Sequence, residues 1–233
     1  MVNINYKTWL SALKIIPGGN MLISKRPPDS LIKKYPIYFS KCDGSYIWDL
    51  NGKKYLDMFL MGVGTNILGY NNKEVNRAVQ KVVKTGNISS LNSIEDLKLA
   101  KELVKINNWA DMVKFARTGG EANTIAVRIA RAYSKKDLIA FCGYHGWHDW
   151  YLSANLSNKK NLDTHLFPNL RSSGVPKNLK NTSIAFNFND SDGLRKIIKK
   201  FKNKISAIKL EIQRSKPPSI KFIKTIKDIQ KKQ

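Results

Sequence analysis

Residues 112–131 read MVKFARTGGEANTIAVRIAR, and this stretch decides the fold class. Its first five residues are a short apolar run of strand length. From Gly119 the spacing becomes helical, with Ile125, Ile129 and the small residues Ala122 and Ala126 on one face. Between the two lie Thr118, Gly119 and Gly120. Glycine weakens a helix interior but suits a helix start that another group must approach closely. A strand, a glycine turn and a helix N-terminus form an anion site by elementary physics. The first-turn N–H groups have no intrahelical acceptor, the dipole is positive there, and the Thr118 hydroxyl adds a donor. The motif is short, neither GxGxxG nor a Walker loop, and a helix start that needs glycine only for tight packing reads the same way.

Working outward, strands and helices alternate. LIAFCG (138–143), SIAFNF (183–188) and ISAIKLEI (205–212) read as strands, 191–202 as a helix, and IKFIKTIKDIQKK (220–232) as the start of another. Short apolar strands alternating with helices predict an α/β fold with a mainly parallel, helix-covered sheet. Upstream the texture differs. Residues 4–15 are helical in spacing and stop at Pro17-Gly18-Gly19. Residues 37–58 alternate and are cut by Asp43-Gly44 and Asn51-Gly52, which predicts a small antiparallel meander. MGVGTNILGY (61–70) is too irregular for a helix. Helices follow at 73–85 and at 93–106, the latter capped by Ser93 with Asp96 in its first turn. The chain therefore divides into 1–60, an N-terminal helix and meander, and 61–233, the front part of a larger α/β domain. The alternation stops on a lysine-rich helix with no strand to receive it, so the sheet reads as incomplete at the C-terminus.

Composition narrows the function classes. The 233 residues carry a net charge of +24, and of 41 basic residues 33 are lysine and 8 arginine. A pI near 10.0 raises the prospect of a nucleic-acid-associated protein. The lysines are spread along the chain, however, and Lys, Asn and Ile all have AT-rich codons, so a solvated lysine-rich surface accounts for the charge. Two cysteines a hundred residues apart make no disulfide framework and fit a reducing compartment. Lys7 and Lys14 interrupt the apolar N-terminus, which excludes a signal-peptide core, and no apolar run is long enough to span a membrane. The expected location is cytoplasmic.

Two further segments carry chemistry. CGYHGWHDW (142–150) directly follows a strand, and in an open parallel sheet ligands bind at the carboxyl ends of strands. Its aromatics and histidines, beside the glycine turn, suit a flat heteroaromatic ring. Cys142, His145 and His148 are spaced for a metal, but no further Cys or His cluster completes four zinc ligands. Glu211 ends an apolar strand, either in the site or capping a neighbour.

These segments, in this order, resemble the class III pyridoxal-phosphate-dependent aminotransferases, and within them the glutamate-1-semialdehyde aminomutase-like branch. IPGGN (16–20), DGSYIWDLNGKKYLDM (43–58), ILGYNNKEVNRAV (67–79), FARTGGEANTIAVRIARAYS (115–134) and GYHGWHDWYLSAN (143–155) carry the likeness from about residue 10 to the end. The resemblance implies the type I pyridoxal-phosphate (PLP) transferase fold, a homodimer with sites at the interface, and a small-molecule amino donor and acceptor. It implies that Thr118, Gly119 and Gly120 form the phosphate-binding turn, with glycine where the family has threonine. Tyr144 corresponds to the aromatic that stacks on the pyridine ring, with His145 beside it and Glu211 in the site wall. Lys25 or Arg26 lies near the aminomutase's substrate-binding arginine. The wording departs at NMLIS (20–24) and at Met61-Gly62, where the aminomutase has an aromatic residue. The implied substrate is an amino acid, an amino sugar or a related carbonyl compound. The family's Schiff-base lysine and the carboxylate that pairs with the pyridine nitrogen match no residue here. The chain thus resembles the N-terminal half of such an enzyme and is expected to be inactive alone. The alternatives are a non-catalytic phosphate- or cofactor-binding module and a basic nucleic-acid-associated protein.

Overall fold

The computed structural model describes residues 3–165, 167–213 and 215–231. It divides into two compact units, Met1–Glu102 and Leu103–Gln233.

In the first unit, α1 (Ile4–Ile15) is capped by the Asn3 side chain, which accepts from the Asn5 N–H. It ends at the Pro17–Gly19 turn, where Gly19 has φ +76° and lies against the Trp9 ring, leaving no room for a Cβ. The meander forms as the sequence predicts. Strands β1 (Phe39–Asp43), β2 (Tyr46–Asp49) and β3 (Lys54–Leu56) pair antiparallel in the order β1-β2-β3. The Asn51-Gly52 hairpin has a wider loop than a two-residue turn. Asp49 N–H donates to Lys53 C=O, and only Gly52 takes a positive φ, +77°.

Asp49 is the hub of this unit. Its carboxylate accepts from the N–H groups of Asn51 and Lys53, from the Tyr55 hydroxyl and from the buried Asn5 amide. Burial acts to raise its pKa, but these hydrogen bonds outweigh it and hold the carboxyl below the usual range. The Asn5 oxygen in turn accepts from the Tyr38 N–H, so one polar pair ties α1 to the meander. Helices α2 (Lys73–Thr85) and α3 (Ile94–Ile106) follow, capped by the side chains of Asn72 and Ser93. The α2 stripe of Val75, Val79, Val82 and Val83 is exposed.

The second unit holds α4 (Gly119–Ser134), β4 (Leu138–Cys142), the short α5 (Asp149–Leu152), β5 (Ser183–Ala185), α6 (Ser191–Lys200), β6 (Ile205–Leu210) and α7 (Ile220–Gln230). Lys232, the end of the predicted last helix, lies outside the described residues. The sheet is parallel in the order β5-β4-β6, as predicted, although β5 is shorter than 183–188. β4 is buried along its whole length. Leu138, Ala140 and Cys142 face a layer with Leu194 of α6 and Phe222 and Ile229 of α7. Ile139 and Phe141 face the opposite layer, with Val127 of α4, Trp150, Tyr151 and Leu162. A strand covered on both faces reads as a continuous apolar run, and LIAFC does. Among the described residues, no helix is long and apolar enough to cross a membrane.

Two expectations are corrected. Residues 112–116 form no strand, because a strand requires a ladder partner and none of the described residues supplies one. α6 and α4 lie on opposite faces of the sheet. Among the described residues β6 pairs with β4 alone. The buried side of α4 is also not the Ile125/Ile129 stripe. Val127 is buried and Asn123, Thr124, Ala130 and Ser134 are half-buried; of the predicted stripe Ile125 is half-buried too, but Ala122 and Ala126 are exposed and Ile129 is 57% exposed. Polar contacts turn the helix this way: Asn123 and Thr124 bond to the loop after β4, and Ser134 to Ser206.

Replacing Asp49 by alanine strands the buried Asn5 amide and two loop N–H groups. We expect a loss of about 2–3 kcal/mol, read as a lower urea midpoint; a change within a few tenths would show that the hub is not structural.

Candidate functional site

The carboxyl ends of β4 and β6 and the N-terminus of α4 converge in the second unit. Thr118 caps α4 from an extended conformation, φ −132° and ψ 157°. Its hydroxyl oxygen accepts from the Glu121 N–H, and the Glu121 carboxylate accepts from the N–H groups of Thr118 and Arg117. This capping box is written in the sequence as Thr118-x-x-Glu121. The Thr118 hydroxyl therefore serves the helix first, with its proton left to donate. The N–H groups of Gly119 and Gly120 have no intrahelical acceptor. A Cβ added at Gly119 would meet nothing within 4 Å.

Gly120 is different. A Cβ there would lie 3.0 Å from His148 Nε2, and a Cβ on Gly146 would lie 3.1 Å from the Gly120 Cα. What approaches Gly120 is thus the chain's own loop. Gly143 and Gly146 both take positive φ, +94° and +101°, which turns the loop back onto α4. Asn123 Nδ2 donates to the His145 carbonyl at 3.1 Å, and Thr124 Oγ1 and His148 Nδ1 are 2.7 Å apart. Asn123, Thr124 and the two glycines escaped the sequence reading, although the G-Y-H-G spacing was a signal for a doubled-back turn.

Glu211 lies just past β6, against the Cα of Gly143, where no side chain would fit. Its Oε2 accepts from the Tyr144 N–H at 3.1 Å, and its own N–H donates to the Cys142 carbonyl. Glu211 thus sets the backbone that carries Tyr144. The Tyr144 ring is half-buried, with Tyr151 and Phe167 packed edge to face on it. Burial raises its phenol pKa.

His145 is buried beneath the loop, stacked on Trp150 with ring centroids 6.1 Å apart. Its Nε2 lies 2.9 Å from the Cys142 carbonyl, which can only accept, so Nε2 carries the proton. Burial first, then the positive charge of Lys209, pushes its pKa down to about 4. Cys142 faces the α6/α7 layer, and burial pushes its thiol up to about 11. The three candidate zinc ligands are therefore held in three separate environments. Among the described residues no group of three His, Cys, Asp or Glu side chains is placed to hold a metal ion. Trp147 is 69% exposed. Lys25 and Arg26 belong to the first unit, where Arg26 pairs with Asp29 at the surface.

The family model for aminotransferase class-III matches residues 31–233. The chain belongs to this family. It is 35% identical to glutamate-1-semialdehyde 2,1-aminomutase of Wigglesworthia glossinidia brevipalpis over 90% of this chain and 47% of that protein. It is 31% identical to 3-aminobutyryl-CoA aminotransferase of Cloacimonas acidaminovorans over 92% and 50%. The chain thus spans about half the length of these curated relatives. In fold, this class-III aminotransferase chain is similar to an omega-transaminase from Sphaerobacter thermophilus (TM-score 0.82, 22% identity, 99% of this chain and 53% of that one). It is also similar to a transaminase solved with PLP bound (TM-score 0.84, 21% identity, 100% and 53%). The predicted PLP-transferase fold is therefore present over the length of the chain.

The His145 ring gives a pH signature. It stays neutral when folded and takes a proton near pH 6.5 when unfolded. Its contribution is complete above pH 6.5 and is lost as the pH falls toward about 4. This amounts to roughly 3 kcal/mol. We expect the urea midpoint to fall across that window and His145→Gln to flatten the fall; a wild-type midpoint that stays level between pH 6.5 and 5 rules it out.

Proposed function

We propose that this chain provides the phosphate- and ring-binding half of a PLP-dependent amino-group-transfer site. The observation that carries the reading is the N-terminus of α4. Two glycine N–H groups are oriented there by a capping box, and the Cβ position of Gly119 is open. Such an end holds a dianionic phosphate through backbone donors and the helix dipole. The Thr118 hydroxyl adds its proton. Tyr144, fixed through its backbone by Glu211, offers an aromatic surface to a pyridine ring.

Bound there, PLP supplies the electron-accepting ring that amino-group transfer needs. The chain's own residues orient it. The α4 end holds the phosphate, Tyr144 sets the ring plane, and the buried neutral His145 supports the loop from below. The substrate is an amino acid, amino sugar or related carbonyl compound, with Lys25 or Arg26 as candidates for its acidic group; the printed names of relatives, an aminobutyryl-CoA and a semialdehyde, support the amino-acid-like and carbonyl classes. The reading extends to a homodimer, to a cytoplasmic setting, and to a small N-terminal part, 1–60, preceding the cofactor-binding region, 61–233. Family membership favours this enzyme reading over a nucleic-acid-associated protein.

The test is Gly119→Pro. Proline is accommodated at the first helical position and the extended Thr118 tolerates it, so the helix survives while one phosphate donor is lost. PLP affinity, followed by fluorescence quenching, should fall about 10–100-fold, while affinity for pyridoxal, which lacks the phosphate, stays unchanged. Equal loss for both ligands, or no loss for PLP, would defeat the phosphate assignment.

A further inference from the structure

His148 lies along the first turn of α4. Cβ atoms on a helix tilt toward its N-terminus, and the space that a Cβ would enter at Gly120 is filled by this ring. Nε2 is the nearest atom, 3.0 Å from that Cβ position, with Cδ2 at 3.2 Å and Cε1 at 3.8 Å. The other nitrogen is anchored one turn further in. Nδ1 is 2.7 Å from Thr124 Oγ1. Thr124 Oγ1 donates its one proton to the Gly120 carbonyl at 3.0 Å, so its oxygen receives the Nδ1–H. The ring is thus held at one nitrogen, and the second stands beside Gly120 at the helix end.

Packing alone does not call for that second nitrogen. The ring is half-buried, edge-on to the exposed Trp147 with centroids 5.0 Å apart. Among the described residues Nε2 makes no hydrogen bond. An apolar ring would fill the space over Gly120 as well. A phosphate monoester can use the nitrogen in either of its forms. The dianion accepts from an imidazolium Nε2–H, and the monoanion donates its own proton to a bare Nε2.

We propose that His148 is a further phosphate ligand of this chain: its Nε2 hydrogen-bonds an oxygen of the phosphate at the N-terminus of α4, and Thr124 positions the ring. His148 adds a side-chain ligand to the backbone donors of the phosphate site proposed above, on which its role rests.

The chain has three histidines, so nitrogen-15 labelling of histidine resolves each ring by NMR, with His148 assigned by its absence from His148→Gln. Titration with PLP or inorganic phosphate should shift the His148 Nε2 signal, and pyridoxal should leave it in place. His148→Phe keeps a ring over Gly120 without either nitrogen. Its PLP affinity should fall about 10-fold, with pyridoxal affinity unchanged. Thr124→Val, which releases Nδ1, should lose part of the same preference for PLP. A wild-type Nε2 signal that does not respond to PLP overturns the role, and decides alone should His148→Phe not fold. Unchanged PLP affinity in His148→Phe, or equal loss for both ligands, overturns it too. Gly119→Pro separates the two readings. A phosphate-specific loss there with none in His148→Phe removes His148 and leaves the α4 donors standing; the reverse upholds His148 and removes those donors.

Discussion

The near-contact of Gly120 and Gly146 sets the geometry of everything around it. A Cβ at either position would come within 3.0–3.1 Å of the facing residues, which would have to give by a few tenths of an ångström, and Gly146 has a positive φ of +101°, so glycines suit the loop lying on the first turn of α4. Once it lies there, Asn123 reaches the His145 carbonyl, Thr124 reaches His148, and His145 is pressed beneath against Trp150. Each of these hydrogen bonds is worth only about 1 kcal/mol net. They select one position for the loop, and the absence of side chains at Gly120 and Gly146 leaves that close approach unstrained.

This changes how the glycine turn is understood. Gly119 and Gly120 look equivalent in the sequence, yet they do different things. Gly119 keeps open space at the helix end, while Gly120 admits the chain's own loop. Glu211 shows a similar division. A carboxylate at a strand end invites a direct chemical role, but here an oxygen of it holds the backbone of Tyr144. The site is built as much by residues that hold other residues as by those that would touch a ligand.

Much of the fold was legible because it is periodic. The meander announced itself through Asp43-Gly44 and Asn51-Gly52, and β4 through its unbroken apolar run. What could not be read depends on partners far along the chain. MVKFA has strand composition, but composition supplies no ladder neighbour. The buried side of α4 includes Asn123 and Thr124, which hydropathy assigns to solvent; their partners lie 22 and 24 residues away. In the site, the order of the motifs was visible, whereas the pinning of Tyr144 by Glu211 required the register of β6 on β4.

The strand order β5-β4-β6 places β4, the most apolar strand, in the centre, with both neighbours later in the chain. During synthesis β4 emerges with no strand to pair with, and its second edge stays bare until residues 205–210 follow. The Glu211 contact to Tyr144 spans 67 residues, so the loop that shapes the site is fixed only after β6 has been made. Until then the strand has an edge of unpaired backbone N–H and C=O groups and two apolar faces, the kind of surface on which aggregation begins. The ordering of residues that makes the three-stranded sheet of the described residues also makes each edge of its central strand wait for a partner made after it.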